Sequence, residues 1–363
     1  MDIKPYIKLV FFVLVFLAWY NPAIYSQSSN YNPNLDFSAI EKFWEVVDIL
    51  ESDKEPSAKL WDELFNTPGY KTLIQSEFRK EYFIEKFTLV FKPSERKKLE
   101  VAIKTGIDFY HLDHFVKVKE RRKELSVQVS KLKARKINED VLNRTLNYLP
   151  QKSTGELPPV AFVIFENNGR GSDPIIVDLL ATIIWDYTSF LAHEYHHWFR
   201  NRQLKFDLTK VSKEETDLIN ALQQLEAEGI ADQVDKKRWF TEPSTAYSQD
   251  ARNFISLVSM SPEVIKQIDA ILNSVYRNST NLKTAGMQLR IAIPGGGHTT
   301  GYFMASLISE QLGRSELVRC VGNPFKFLIL YNNAAKLGGY NYPQFSNETM
   351  QYLYALEKKF VVE

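Results

Sequence analysis

The chain has 363 residues, of which 44% are hydrophobic and 25% charged, so it can bury a core and is not a disordered protein. Its 45 basic and 44 acidic residues nearly cancel, and this balance favours neither nucleic acid nor an anionic membrane surface as a partner. The single cysteine, Cys320, excludes an internal disulfide and a cysteine-based metal site, and we expect it to be a buried apolar residue.

The first residues have the layout of a signal peptide. Lys4 and Lys8 precede an apolar run, 9–19, which is shorter than the about 20 residues that a membrane-spanning helix needs. We predict a signal peptide over 1–26, cleaved after Ser26, with export to the periplasm or the extracellular space and no stable membrane insertion afterwards. An uncleaved anchor is the alternative.

Residues 27–155 are predicted to form an N-terminal helical region. Apolar residues recur at spacings of three and four from Phe37 onward, and helices interrupted by breaks are expected over 70–91 and 93–114. Ser57 is placed to cap the helix that follows it.

A charged segment follows over 115–135, and we interpret it as a solvated helix face, with a basic docking surface as the alternative. His111 and His114 are three residues apart and could share a helix face. Because no acidic or cysteine partner stands near them in a recognisable pattern, the sequence does not favour a second metal site there.

The pattern changes at the start of the region 156–363. A continuous apolar run of β-branched and aromatic residues, 160–165, predicts a buried strand, and 175–177 predicts a second one. The loop between them contains Gly169 and Gly171, and neither a following Lys-Ser/Thr nor an adjacent helix start supports a phosphate-binding loop.

A helix predicted over 186–202 carries the pattern HExxH. His193 and His197 are four residues apart, which brings both imidazoles to nearly the same helix face, where they can take two positions around a tetrahedral Zn²⁺. Glu194 then points toward the water or substrate position and can act as a general base. His196 points about 100° away from that face, so we expect it to pack or to support the site.

A second helix, predicted over 215–238, offers a third ligand. Glu228 and Asp232 fall on the edge of its buried leucine stripe, where an uncompensated carboxylate costs several kcal/mol and a shared metal would offset that cost. Gly229 would let the two helices approach closely. Glu226, Asp232 or His298 as the ligand, or a solvated Glu228, remain alternatives.

Together, His193–His197 and the later pair Glu228 and Asp232 resemble the HExxH and ExxxD motifs of the gluzincin metallopeptidases. Residues 155–340 also resemble bacterial zinc-dependent peptidases of unknown function. The resemblance implies that Glu228 is the third zinc ligand and that Asp232 hydrogen-bonds His193 to fix its orientation. It also implies that an edge strand of the small sheet holds an extended substrate.

In gluzincins a histidine or tyrosine away from the zinc motifs usually faces the oxyanion of the tetrahedral intermediate. The glycine-rich stretch 294–297 leads into a predicted helix, and its neighbour His298 is the first candidate for this donor, with Tyr302 the second.

The sequence thus predicts an α+β protein, predominantly helical, with a small sheet before the HExxH helix and a zincin-like region over 156–363; 27–363 as one compact domain is an alternative. The predicted function is an exported peptidase with one Zn²⁺ per chain, in which Glu194 activates a zinc-bound water to cleave a peptide or protein. The alternatives are a catalytically inactive zinc-containing envelope binding protein and a zinc hydrolase of a non-peptide amide.

Overall fold

Helices make up most of the chain in the computed structural model, which describes residues 34–134, 139–150, 153, 157–242, 248–339 and 341–362. The predicted signal peptide lies outside these residues. In chain order the helices are α1 (Ser38–Glu51), α2 (Ala58–Phe65), α3 (Pro68–Ser76), α4 (Lys80–Phe91), α5 (Arg96–Thr105), α6 (Phe109–Glu120), α7 (Arg122–Ala134), α8 (Glu139–Leu146), α9 (Ala181–Ile184), α10 (Tyr187–Asn201), α11 (Thr216–Asp235), α12 (Arg238–Thr241), α13 (Gln249–Ser259), α14 (Ser261–Tyr276), α15 (Leu282–Ala292), α16 (His298–Gln311), α17 (Arg314–Arg319), α18 (Pro324–Gly338) and α19 (Asn347–Phe360).

A four-stranded sheet stands before the HExxH helix. Its strands are β1 (Leu35–Asp36), β2 (Val160–Val163), β3 (Gly169–Arg170) and β4 (Ile175–Asp178), in the spatial order β1-β2-β4-β3. β1, β2 and β4 are parallel, whereas β3 is antiparallel to β4 and forms one edge. Every residue of β2 and β4 is buried, as the apolar runs predicted. The predominantly helical α+β fold class is therefore confirmed.

Two of the long predicted helices are broken. The segment 70–91 divides into α3 and α4. Phe78 lies between the two helices, and its ring centroid is 5.2 Å from that of Phe83 in the aromatic core. The segment 93–114 divides at Gly106, whose φ of 71° is left-handed and ends α5. The cap expected of Ser57 is present, because its hydroxyl accepts the Leu60 N–H.

The sheet and the N-terminal helices share one core. Phe37 stacks on Phe162 of β2 with ring centroids 4.5 Å apart, and the Tyr70 hydroxyl donates to the Ile164 carbonyl at 2.7 Å. Contacts join residues 33–363 into one compact unit. Cys320 is a free, buried thiol inside this core. Among the described residues, no helix combines the length and the apolar character that crossing a membrane requires.

The backbones of helices α11 and α16 are in direct contact at two glycines. A Cβ added to Gly229 would stand 2.4 Å from the Gly301 carbonyl carbon, and one added to Gly301 would stand 2.3 Å from the Leu225 oxygen. Any side chain at these two glycines would force the helices apart. Gly229 was expected to allow a close approach between α11 and the HExxH helix. That expectation is wrong, because the helix that Gly229 contacts is α16.

Candidate metal centre

Helices α10 and α11 bring three donor side chains together. The Nε2 atoms of His193 and His197 are 2.9 Å apart, and Glu228 Oε2 lies 3.1 Å from His197 Nε2 and 3.4 Å from His193 Nε2. Atoms that each lie about 2.0–2.1 Å from a tetrahedral zinc ion are roughly 3.3–3.4 Å from one another. The triangle is therefore close to the size that the ion needs, and its imidazole and carboxylate donors suit zinc.

A second set of possible donors overlaps the first. Ligand atoms of His193, Glu228, Asp232 and His298 all lie within 4.8 Å of one another. However, Asp232 already accepts from His298 Nδ1 at 3.0 Å and from the Lys236 ammonium at 2.5 Å. Because those bonds occupy the Asp232 carboxylate, the histidine pair of HExxH with Glu228 is the better ligand set.

Asp235 is the carboxylate that hydrogen-bonds His193. Its Oδ1 is 3.1 Å from His193 Nδ1, whereas the nearest Asp232 oxygen is 3.5 Å away. The Lys236 ammonium bridges the two aspartates, at 2.9 Å from Asp235 and 2.5 Å from Asp232. The sequence reasoning gave this role to Asp232 and missed Asp235, although Asp235 follows Glu228 by two helical turns and so shares its face.

The charges in this cluster favour a cation. Burial lowers the pKa of His193, but Asp235 outweighs burial and raises it well above its ordinary value. Burial raises the pKa of Glu228, but His197 and His298 outweigh it and hold that pKa well below its usual range. A metal ion binding at the Nε2 atoms would replace the proton that this site otherwise attracts.

Glu194 is 4% exposed and lies under the edge of the sheet. Burial raises the pKa of its carboxyl group, and the neighbouring imidazoles oppose that shift. A Cβ added to Gly169 of β3 would lie 2.7 Å from the Glu194 carboxylate. A Cβ on Gly171 would lie 2.3 Å from the His197 Cβ. The loop can therefore pack on α10 only because these residues are glycines.

The cluster opens into a cleft of about 680 Å³, within the size range of ligand-binding pockets. His193, Glu194 and His298 line its floor. The rest of the lining is both apolar and charged, with Ile184, Trp185, Phe190, Trp239, Phe254 and Leu257 among the apolar residues and Asp186, Lys236, Arg238, Glu242 and Asp250 among the charged ones.

Comparison with known families agrees with this geometry. Residues 61–338 match a family model described as "Putative zinc dependent peptidase (DUF5700)". The chain belongs to this family. The resemblance to zinc-dependent peptidases of unknown function is thereby confirmed. No curated protein and no solved structure matches the chain.

In this member of the zinc-dependent peptidase family, His298 reaches the cleft and Tyr302 does not. His298 is the first residue of α16 and holds its Nδ1 3.0 Å from Asp232. Tyr302, one turn later, is 4% exposed and stacks on Phe240 with ring centroids 4.7 Å apart, away from the residues that line the cleft. This placement corrects the expectation that Tyr302 could face the oxyanion.

Glu226, an alternative ligand by sequence, lies on the other side of α11. Its carboxylate pairs with the Arg200 guanidinium and accepts the Gly322 N–H at 2.9 Å, with both side chains about fully buried. This pair ties α11 to α10 behind the metal cluster. His196, also on α10, is buried with its Nε2 3.1 Å from the Tyr148 carbonyl, consistent with packing.

Replacing Glu226 by alanine is expected to lower the free energy of unfolding by about 3–5 kcal/mol, because Arg200 would remain buried without its partner. Urea unfolding followed by circular dichroism measures this loss. The matched control is Glu263→Ala, which breaks a surface pair with Lys266 at a 67% exposed carboxylate and should cost less than about 1 kcal/mol. Equal losses in the two variants would contradict the assignment.

Proposed function

We propose that this chain is an exported zinc-dependent peptidase that hydrolyses peptide bonds with Glu194 as general base. The observation that carries the proposal is the convergence of His193, His197 and Glu228 donor atoms beside the buried Glu194 carboxylate at the floor of a large cleft. Membership in the zinc-dependent peptidase family supports it. The basic and then apolar N-terminal sequence supports export.

Zinc bound to the three donors would polarise the substrate carbonyl and acidify a water molecule. Within that site, Glu194 takes a proton from the attacking water and later passes it to the leaving amine. Its buried position suits this role, because burial raises the pKa of the carboxyl group toward neutrality.

His298 supplies the donor for the developing oxyanion. Burial lowers the pKa of His298, but Asp232 and Glu228 outweigh burial and raise it, which favours an imidazolium. With Nδ1 bonded to Asp232, the Nε2–H is the group left to face the substrate. A donor of this kind contributes roughly 3 kcal/mol to transition-state stabilisation.

Metal analysis and cleavage profiling test the proposal together. Purified protein should contain one zinc per chain and should cut peptides in a mixed library, and a chelator should stop the cutting. A folded protein that never takes up zinc would overturn the proposal. Zinc uptake without any cleavage would instead favour a catalytically inactive zinc-containing binding protein.

A further inference from the structure

The outward-facing backbone of the edge strand β3 is already occupied by side chains. The Asn168 carbonyl accepts the Asp178 N–H at 3.0 Å, so Asn168 faces β4. In an antiparallel pair the next residue, Gly169, turns its N–H and C=O away from that neighbour, toward the sheet edge. There the Gly169 N–H donates to Asn168 Oδ1 at 2.9 Å, and the Gly169 carbonyl accepts from Arg170 Nη1 at 2.7 Å.

These two contacts differ in strength. Arg170 is fixed by a two-bond contact with Glu77, at 2.6 and 2.7 Å, and by Glu166 at 2.5 Å. Charge-assisted bonds of this forked kind are about twice as strong as neutral ones. The Asn168 amide, by contrast, makes a neutral contact with its neighbour's N–H and lies at the cleft wall. A ligand can displace Asn168 far more easily than Arg170.

We call Arg170 with its partners Glu77 and Glu166 the Arg170 clamp. Its hydrogen bonds continue into the N-terminal helices. Glu166 also lies 3.3 Å from His111 Nε2, and His111 Nδ1 lies 2.6 Å from Asp108. Burial raises the pKa of Glu166, but hydrogen bonds with His111 and Arg170 outweigh it and lower it to about 2. Arg170 is therefore held between groups from α6, the β2–β3 loop and the end of α3, none of which is a metal ligand.

We propose that Arg170 is a positioning residue of the peptidase: through its bond to the Gly169 carbonyl it holds Gly169 against the Glu194 carboxylate. The inference rests on the proposed function, because it concerns the base of that reaction. It also explains why the loop touches Glu194 through a glycine backbone and not through a side chain.

The test compares Arg170→Met with Arg202→Met in the zinc-loaded protein. Arg202 is a matched control, since it directly follows the end of α10, its side chain is 57% exposed and its guanidinium pairs with Asp173 at 3.4 Å. Arg170→Met is expected to lower kcat by about tenfold to a hundredfold, the cost of misplacing a catalytic group. KM should stay within about threefold, because the lost interaction acts in the transition state. Arg202→Met should match the wild type in both.

Two further measurements keep the proposal falsifiable. Amide hydrogen exchange over 165–172 should be faster in metal-free Arg170→Met than in the wild type and unchanged in Arg202→Met. If Arg170→Met fails to fold, Glu77→Gln removes half of the clamp at a partly exposed carboxylate and should give a smaller fall in kcat of the same kind. Wild-type cleavage with unchanged kcat in the Arg170 or Glu77 variant overturns this inference, whereas a wild type that cleaves nothing overturns the proposed function itself.

Discussion

Glu194→Gln is expected to lower kcat/KM for peptide cleavage by about a thousandfold to ten-thousandfold, because the amide cannot accept the proton of the attacking water. Zinc content should stay at the wild-type level, since Glu194 is not one of the three converging donors. Initial rates on the best peptide of a mixed library, with metal analysis of the same samples, measure both quantities.

The control for this prediction is Glu263→Gln, which makes the same chemical change at a 67% exposed position on α14. It should keep wild-type rates. If Glu194→Gln keeps more than about a tenth of the wild-type rate, Glu194 is not the general base. If it loses zinc as well as activity, the prediction that Glu194 takes no part in holding the metal is wrong.

Loss of a metal ligand should have the second large effect. A carboxylate that only orients a metal ligand typically contributes about 10–100-fold to metal affinity. Glu228→Ala is expected to weaken zinc binding by more than that and to abolish cleavage at ordinary zinc concentrations. Asp235→Asn should weaken binding by about 10–100-fold, because it disturbs only the orientation of His193. Competition with a chromophoric chelator gives both affinities.

The ranking of these variants distinguishes between the aspartates. If Asp232→Asn weakens zinc binding more than Asp235→Asn does, then Asp232 orients His193 as the family resemblance implied. If the two Asn variants and Glu228→Ala all bind zinc as the wild type does, the metal lies elsewhere in the chain.

Helical periodicity and the HExxH motif made the central helices predictable. The HExxH helix was predicted over 186–202 and runs over Tyr187–Asn201, and the next was predicted over 215–238 and runs over Thr216–Asp235. In α11 the apolar spacing marks the buried face, whereas α10 is buried nearly all round and was located by its HExxH motif. The break at Phe78 carries no glycine or proline, and it arises because the ring enters an aromatic core built from distant residues.

The residues that sequence reasoning missed or misplaced depend on which helix faces meet. Asp235 gains its role only once α11 lies beside α10, because its partner His193 is 42 positions earlier in the chain. Tyr302 was the second candidate for the oxyanion donor, yet Phe240 and Phe254 pack against its ring. The Arg170 clamp joins residues up to 93 positions apart, and no local pattern records such a contact.

The contact between Gly229 and Gly301 has a consequence for redesign. His298 and Glu228 lie one turn or less from the point where the backbones of α16 and α11 touch, so this main-chain contact fixes the spacing of the two backbone positions that carry them. Leu257 of α13 lines the cleft and takes no part in this contact, whereas Trp239 packs on the cluster that contains Tyr302 of α16. An engineer could therefore exchange Leu257 to change substrate preference while the backbone spacing of α11 and α16 stays fixed.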